Sequence, residues 1–228
     1  MKEIVLLHGA IGASDQLTNL RLLLEKNCKV YTFDFTGHGK RSNENTDFSI
    51  ENFAADLDSF LQKQQLKHPI IFGYSMGGYV AIYHALNYAN KAKKIITLAT
   101  KFNWTTEIAA KEIKMLDADI MEEKIPAFAL QLKKRHGDYW KNVLNKTAQM
   151  MTMMGEKNPL LPEELNNLEL PIYFGLGDDD KMVTKDETQN FCRASKKGSF
   201  FILPQSQHPI EKANIVDLSN KINEIFIR

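Results

Sequence analysis

Cysteine is scarce: Cys28 and Cys192 are the only two in 228 residues. No disulfide framework can hold the chain, and two free thiols suit a reducing compartment. Charge of one sign is also lacking, with 29 Lys and Arg against 28 Asp and Glu and a formal net charge of +1. A protein that binds the nucleic-acid backbone needs surplus cations to displace counterions, and this chain has almost none. Long apolar runs are absent too. The first, residues 4–7, is too short for a signal-peptide core and leads straight into His8-Gly9. No stretch approaches the roughly 18 uninterrupted apolar residues that cross a bilayer. Internal repeats and low-complexity linkers are missing as well. These absences exclude nucleic acid and membrane as partners and place the expected location in the cytoplasm. Oligomeric state stays open, because a near-zero charge favours neither answer.

The chain does have an average share of apolar residues, 43%, with 25% charged, which excludes wholesale disorder. Its length lies between one domain of roughly 150 residues and two, and one core with an insertion fits best. Residues 4–7, 28–35, 69–72 and 94–98 read as short strands. Between them, residues 17–24, 50–61 and 79–86 have helical spacing. Such alternation implies a parallel sheet covered by helices, since each crossover lays a helix on a sheet face. The rhythm breaks over residues 102–168. Ala109, Ile113, Leu116 and Ile120 suggest one helix, Pro126 starts a second that stops at Gly137, and Asp138 is the expected cap of a third running to Gly155. Strands at 171–174 and 200–203 and helices at 185–191 and 215–225 then complete the core. The prediction is a single α/β domain with a helical insertion.

The strongest chemical signal is Gly73-Tyr74-Ser75-Met76-Gly77-Gly78, placed between a strand and a helix. A serine at so tight a turn is held in a strained conformation that exposes its hydroxyl. That hydroxyl is a poor nucleophile until a base takes its proton. Of the six histidines, His8 and His38 lie in glycine-flanked loops that they are expected to shape by hydrogen bonding. His68 is at the wrong end of a strand, His84 lies within the helix after Ser75, and His136 is near a helix end, where a cation is favourable. His208 follows the last strand at its carboxyl end and is the best base. The loop after the penultimate strand supplies a carboxylate from Asp178-Asp179-Asp180, which could instead form a hard-cation site or simply be solvated. Loop 97–103 contains no carboxylate.

Together these pieces resemble the α/β-hydrolase superfamily over essentially the whole chain. The resemblance rests on Leu6-Leu7-His8-Gly9, Asp34-x-x-Gly37-x-Gly39-x-x-Ser42, the serine turn, Gly177-Asp178-Asp179-Asp180-x-x-Val183, and His208 with Glu211 after it. The order Ser, Asp, His matches as well. It implies a three-layer fold with a mostly parallel sheet of about six strands, lacking the two antiparallel strands that usually precede the His-Gly strand. It implies Ser75 as nucleophile, Asp180 as acid with Asp178 as the fallback, and His208 as base. It further implies the N–H groups of Ala10 and Met76 as oxyanion donors and Gly9 and Ile11 as substrate contacts. Gln207 departs from the pattern, since many relatives carry glycine there.

The resemblance makes the insertion a cap over the serine. Met150, Met151, Met153 and Met154 bring flexible thioethers that suit a substrate surface, and Met150 and Met154 are the candidate lining residues. Their helical spacing equally fits packing of the cap on the sheet, which is the preferred reading, as it is for Trp104 and Trp140. Lys93-Lys94 and Lys196-Lys197 read as solvated. The implied activity is hydrolysis of a small carboxylic ester or thioester through an acyl-serine, with no cofactor and no metal. Carbon–carbon bond hydrolysis, lyase chemistry and a non-catalytic ligand sensor are the alternatives on the same fold.

Overall fold

The computed structural model describes residues 2–88 and 92–227. Six strands, β1 (Glu3–Leu7), β2 (Lys29–Thr32), β3 (Ile70–Tyr74), β4 (Lys94–Leu98), β5 (Ile172–Gly177) and β6 (Gly198–Leu203), form one sheet in the order β2-β1-β3-β4-β5-β6. Every neighbouring pair is parallel, so the sheet is wholly rather than mostly parallel among the described residues. The inner strands are apolar on both sides because both faces are covered. Ile4 and Leu6 pack towards α1 (Thr18–Leu24) and α9 (Ile215–Ile227), where Leu20, Leu218 and Ile222 meet them. Val5 and Leu7 face the other way, towards α2 (Ile50–Lys63), α3 (Met76–Asn87) and α8 (Lys185–Ala194), with Leu57, Val80 and Phe191. Each such side chain taken from water stabilises the fold by about 1.5–3 kcal/mol. Among the described residues no helix is long and apolar enough to cross a membrane.

Strand order places the site. From β1 the chain steps outward to β2, then returns to lay β3 on the opposite side of β1 and continues to β6. Loops leaving β1 and β3 therefore diverge, and a crevice opens outside their carboxyl ends. His8 to Ile11 follow β1 there, and Ser75 follows β3.

Between β4 and β5 lie α4 (Thr106–Glu112), α5 (Ala118–Lys124), α6 (Pro126–His136) and α7 (Trp140–Glu156), with no strand. The segment has a small core of its own, built on Leu116, Met121, Leu132, Trp140 and Leu144. Three local expectations need correction. The single helix expected through Ala109 and Ile120 is two, because Asp117 leaves helical geometry (φ −70°, ψ 113°) and caps α5 by accepting from Asp119 and Ile120 N–H. Asp138 caps nothing: it lies in a 3-10 turn, and α7 starts beyond it at Trp140 without a side-chain cap. Lys94 is not solvated but 7% exposed, its Nζ donating to Ile225 O at 2.7 Å, where a cation meets the carboxyl end of α9.

Candidate active site

Ser75 alone makes the turn from β3 into α3, with φ 51° and ψ −118°. This is a conformation that a side-chain-bearing residue keeps only when its surroundings enforce it. Here Ser75 N–H donates to Leu98 O at 2.8 Å, and Ser75 O accepts from Gly78 N–H and from Thr100 Oγ1, both at 3.0 Å. The two motif glycines are required by contact. A Cβ on Gly73 would lie 2.3 Å from Gly77 C, and one on Gly77 would lie 2.6 Å from Leu7 O. Backbone cannot yield at such distances, so the turn admits only glycine at both places.

Beyond β6, the chain turns back at Gln205 (φ 52°) and carries His208 towards Ser75. Asp178 builds this turn by accepting from Gln205 N–H and Ser206 N–H, each at 3.0 Å. Tyr74 Oη donates to His208 O at 3.1 Å and ties the loop to β3. The departure at Gln207 is harmless, because the positive φ falls at Gln205 and the Gln207 amide donates to Asp179. His208 Nδ1 lies 2.9 and 3.2 Å from the two Asp180 oxygens. Its Nε2 is 3.5 Å from Ser75 Oγ, a contact of the kind that is long in a free enzyme and tightens with substrate. Asp180's side chain is fully buried. Burial pushes its carboxyl up, but the His208 hydrogen bond and charge, with the N–H groups of Val183 and Met182, outweigh this and hold it below its ordinary value. The three aspartates therefore do separate things: Asp178 folds the loop, Asp179 meets Lys181 and Gln207, and Asp180 faces the histidine. Among the described residues no group of three or more His, Cys, Asp or Glu is arranged to hold a metal.

Ala10 and Met76 flank Ser75 in the same small cavity. Among the described residues neither of their N–H groups donates to a protein acceptor. The amino end of α3 adds its positive dipole at the same point.

Two cavities meet at Ser75, Ala10 and Met151. The smaller, of about 40 Å3, is walled by Met76, Tyr79, Trp104, Met150 and Met154. The larger, of about 480 Å3, includes Gly9, Ile11, Phe128, Met182 and His208 in its lining. Gly9 and Ile11 thus lie in the large lobe, and Met150 and Met154 in the small one. Both methionines are also buried core residues, at 2% and 4% exposure, so packing and lining are one role here. Trp104 likewise lines the small lobe, whereas Trp140 only packs the insertion. Met153 points to solvent at 47% exposure. Met151, one of the four methionines suited to a substrate surface, stands at the junction, whereas nothing in the sequence marks Phe128, because helical spacing does not say which covered face borders a void.

The other histidines are structural. His8 Nε2 accepts from Phe35 N–H at 3.1 Å and its Nδ1 lies 2.8 Å from Gly9 O, while His38 lies between Thr36 O and Ala10 O. His84 is buried beside Asp58, and His68 is exposed. His136 corrects an expectation, for it is no helix-end cation. It is 1% exposed, with Nδ1 accepting from Gly39 N–H and Nε2 donating to Ile11 O, both at 3.0 Å. Burial, with His38 and Arg135 nearby, outweighs the Ile11 bond and Asp15 and lowers its pKa from 6.5 to about 4. Burial lowers His8 similarly, to about 3.

A pH dependence follows. Histidines kept neutral in the fold take protons in the unfolded chain first, so stability is complete above about pH 6.5 and is lost as pH falls towards 4 and 3. For His136 the loss is on the order of 3 kcal/mol. In calorimetry between pH 7 and 4, His136→Gln is expected to flatten this decline; an unchanged slope would show that His136 does not titrate with unfolding.

Comparison with known proteins agrees with this architecture. The family profile described as serine aminopeptidase, S33, matches residues 1–212. An sn-1-specific diacylglycerol lipase of Danio rerio is 23% identical over 96% of this chain and 76% of its own length. A 2-succinyl-6-hydroxy-2,4-cyclohexadiene-1-carboxylate synthase of Photorhabdus laumondii is 24% identical over 98% of this chain and 84% of its own. Some matches are partial: that to a proline iminopeptidase of Pestalotiopsis fici, at 27% identity, spans 58% of this chain and 46% of the relative. The chain spans 36% and 25% of two further relatives, a chloroperoxidase and an ethanol acetyltransferase. Among solved structures, a thermophilic esterase from Thermogutta terrifontis superposes with a TM-score of 0.78 at 18% identity, covering 99% of this chain and 89% of that one. A lipase structure from Acinetobacter baumannii gives 0.81 at 19% identity, covering 99% and 83%. At such identities the structures show the fold alone, while the profile covers nearly the whole chain: the chain belongs to the serine aminopeptidase S33 family and has the α/β-hydrolase fold.

Proposed function

We propose that this chain hydrolyses a small carboxylic ester or thioester through an acyl-enzyme on Ser75. The observation that carries the reading is the chain of contacts from Ser75 Oγ through His208 to buried Asp180, beside two N–H groups that among the described residues donate to no protein acceptor. Ser75 Oγ attacks the carbonyl carbon while His208 Nε2 takes its proton. The carbonyl oxygen becomes an oxyanion facing Ala10 and Met76 N–H, donors of a kind each worth roughly 3–4 kcal/mol to the transition state. As the oxyanion collapses, the bond to the leaving oxygen or sulfur breaks and that atom takes the proton from His208. Water then attacks the acyl carbon, again giving its proton to His208. Collapse of the second intermediate releases the acid and returns the proton to Ser75. Asp180 keeps the imidazole in the tautomer that presents a lone pair to Ser75 and stabilises the imidazolium between steps.

The helices between β4 and β5 act in this reading as a cap, since α4 to α7 contribute Glu112, Met121, Phe128, Met150 and Met151 to the cavity walls. The partner is a small acyl compound, and every step uses the chain's own side chains. A fluorophosphonate probe tests the assignment. It is expected to label the protein once, at Ser75; a folded protein that takes no label is a binding module, not a serine hydrolase.

A further inference from the structure

The two cavities differ twelvefold in volume, about 40 against 480 Å3, and they are not interchangeable. His208 borders the large one and is absent from the small one. The leaving atom must take its proton from His208 Nε2, so the leaving group lies in the large lobe. Ala10 and Met76 line the small lobe, so the carbonyl oxygen enters it, and the acyl chain, directed away from the leaving group, shares that lobe with the oxygen. At roughly 10–15 Å3 for each water-sized group, that lobe accepts about three heavy atoms. Its walls do not give easily, since Tyr79, Met150 and Met154 belong to the packed core. Lys101 also borders it, but its Nζ is engaged with Met182 O and Glu112. The large lobe by contrast opens at a rim where Met115, Ile120 and Ile125 are 52, 46 and 50% exposed, apolar surface that a bulky group can cover.

We infer that the substrate class is a short acyl group, of about two to three carbons, carried on a bulky apolar alcohol or thiol. This rests on the acyl-serine reading above. The test is a series of naphthyl esters from acetate to octanoate, followed by acetates of ethanol, octanol and naphthol. kcat/KM is expected to fall by about tenfold or more from propionate to octanoate, because overpacking a closed pocket is costly, and to rise as the alcohol grows. Met150→Ala, or the milder Met150→Val should alanine unfold the protein, is expected to restore the longer acyl chains selectively. A preference for octanoate over acetate in the parent enzyme overturns the partition, while fluorophosphonate labelling of Ser75 still upholds the acyl-serine reading. Absence of labelling overturns both.

A separate set of contacts carries a second inference. Gly9, Ala10 and Ile11 present three successive carbonyls, and each meets a different buried imidazole: His8 Nδ1 at 2.8 Å, His38 Nε2 at 2.5 Å and His136 Nε2 at 3.0 Å. The rings form a row, with centroids 5.1 Å apart for His8 and His38 and 5.9 Å for His38 and His136. Ile11 O shares its peptide plane with Gly12 N–H, which donates to Gly9 O at 3.1 Å, and Gly9 O shares its plane with Ala10 N–H, so a hold on Ile11 O bears on the direction of the Ala10 N–H. His136 comes from α6, so one ring of the row belongs to the insertion. The geometry points to His136 as a positioning residue that couples the insertion to the oxyanion donor, again on the acyl-serine reading. Its ring both accepts from Gly39 and donates to Ile11; a glutamine amide can do both, and alanine neither. His136→Ala is expected to lower kcat about tenfold or more with KM nearly unchanged, since small misplacement acts on the transition state. Affinity for a trifluoromethyl ketone should fall in step, and His136→Gln should recover most of both. Equal losses in the two variants, or a full kcat in folded His136→Ala, overturn the assignment.

Discussion

Ser75→Ala is expected to lower kcat/KM for nitrophenyl acetate by about five to six orders of magnitude, the loss found when the nucleophile of an acyl-transfer site is deleted. The remaining rate should still exceed that in water, because the Ala10 and Met76 donors and the cavities are untouched. Stability should stay within about 0.5 kcal/mol of the parent. Alanine keeps the Cβ and therefore the same strain at φ 51°, while among the described residues the hydroxyl's hydrogen-bond partner is His208 at 3.5 Å. The backbone bonds to Leu98, Gly78 and Thr100 do not involve Oγ. Steady-state kinetics with a thermal melt decides the matter. A variant that folds and retains more than a few per cent of the activity would remove Ser75 from the chemistry.

Asp180→Asn is expected to reduce kcat by about 10^4-fold, against roughly tenfold or less for Asp178→Asn. The reason lies in which groups each carboxylate faces. Asp180 Oδ1 accepts from Met182 and Val183 N–H at 2.8 and 2.9 Å. In the asparagine variant the amide oxygen keeps those two donors, which turns the NH2 towards His208 Nδ1. A ring that accepts there must carry its proton on Nε2, and so has no lone pair for the Ser75 hydroxyl. Asp178 is exposed and faces backbone N–H groups, chiefly those of Gln205 and Ser206, so its loss loosens the turn behind His208 without changing the tautomer. Comparing kcat for the two variants, with circular dichroism to verify folding, separates the roles. Equal, mild losses would move the acid elsewhere.

Much of this architecture is legible in residue order. Short apolar runs ending in glycine, separated by helical spacing, read as β1, β3 and β4 because a strand covered on both faces has no polar alternation to confuse it. The outer strands were less distinct. Residues 28–35 read as one strand, but β2 stops at Thr32, since an edge strand has a single neighbour and no pattern marks where pairing ends. Asp180 was separable from Asp178 only by its place in a familiar pattern; three adjacent carboxylates look alike until the chain folds and only one meets an imidazole. His136 was misread for the same reason. Its place at a helix end suggested a solvated cation, and nothing in its neighbours along the chain shows that Gly39 and Ile11 close over it.

The sequence by itself determined that serine, acid and histidine leave strands at their carboxyl ends, because glycine placement and apolar runs report backbone geometry locally. Its balanced charge, 29 Lys and Arg against 28 Asp and Glu, also leaves almost no net charge to steer a partner from a distance. Only the tertiary structure decided that two unequal lobes meet at Ser75, that Trp104 and Met151 wall them, and that three imidazoles hold the loop of Ala10. Those features arise between residues far apart in the chain, where packing and desolvation, not local propensity, set the distances.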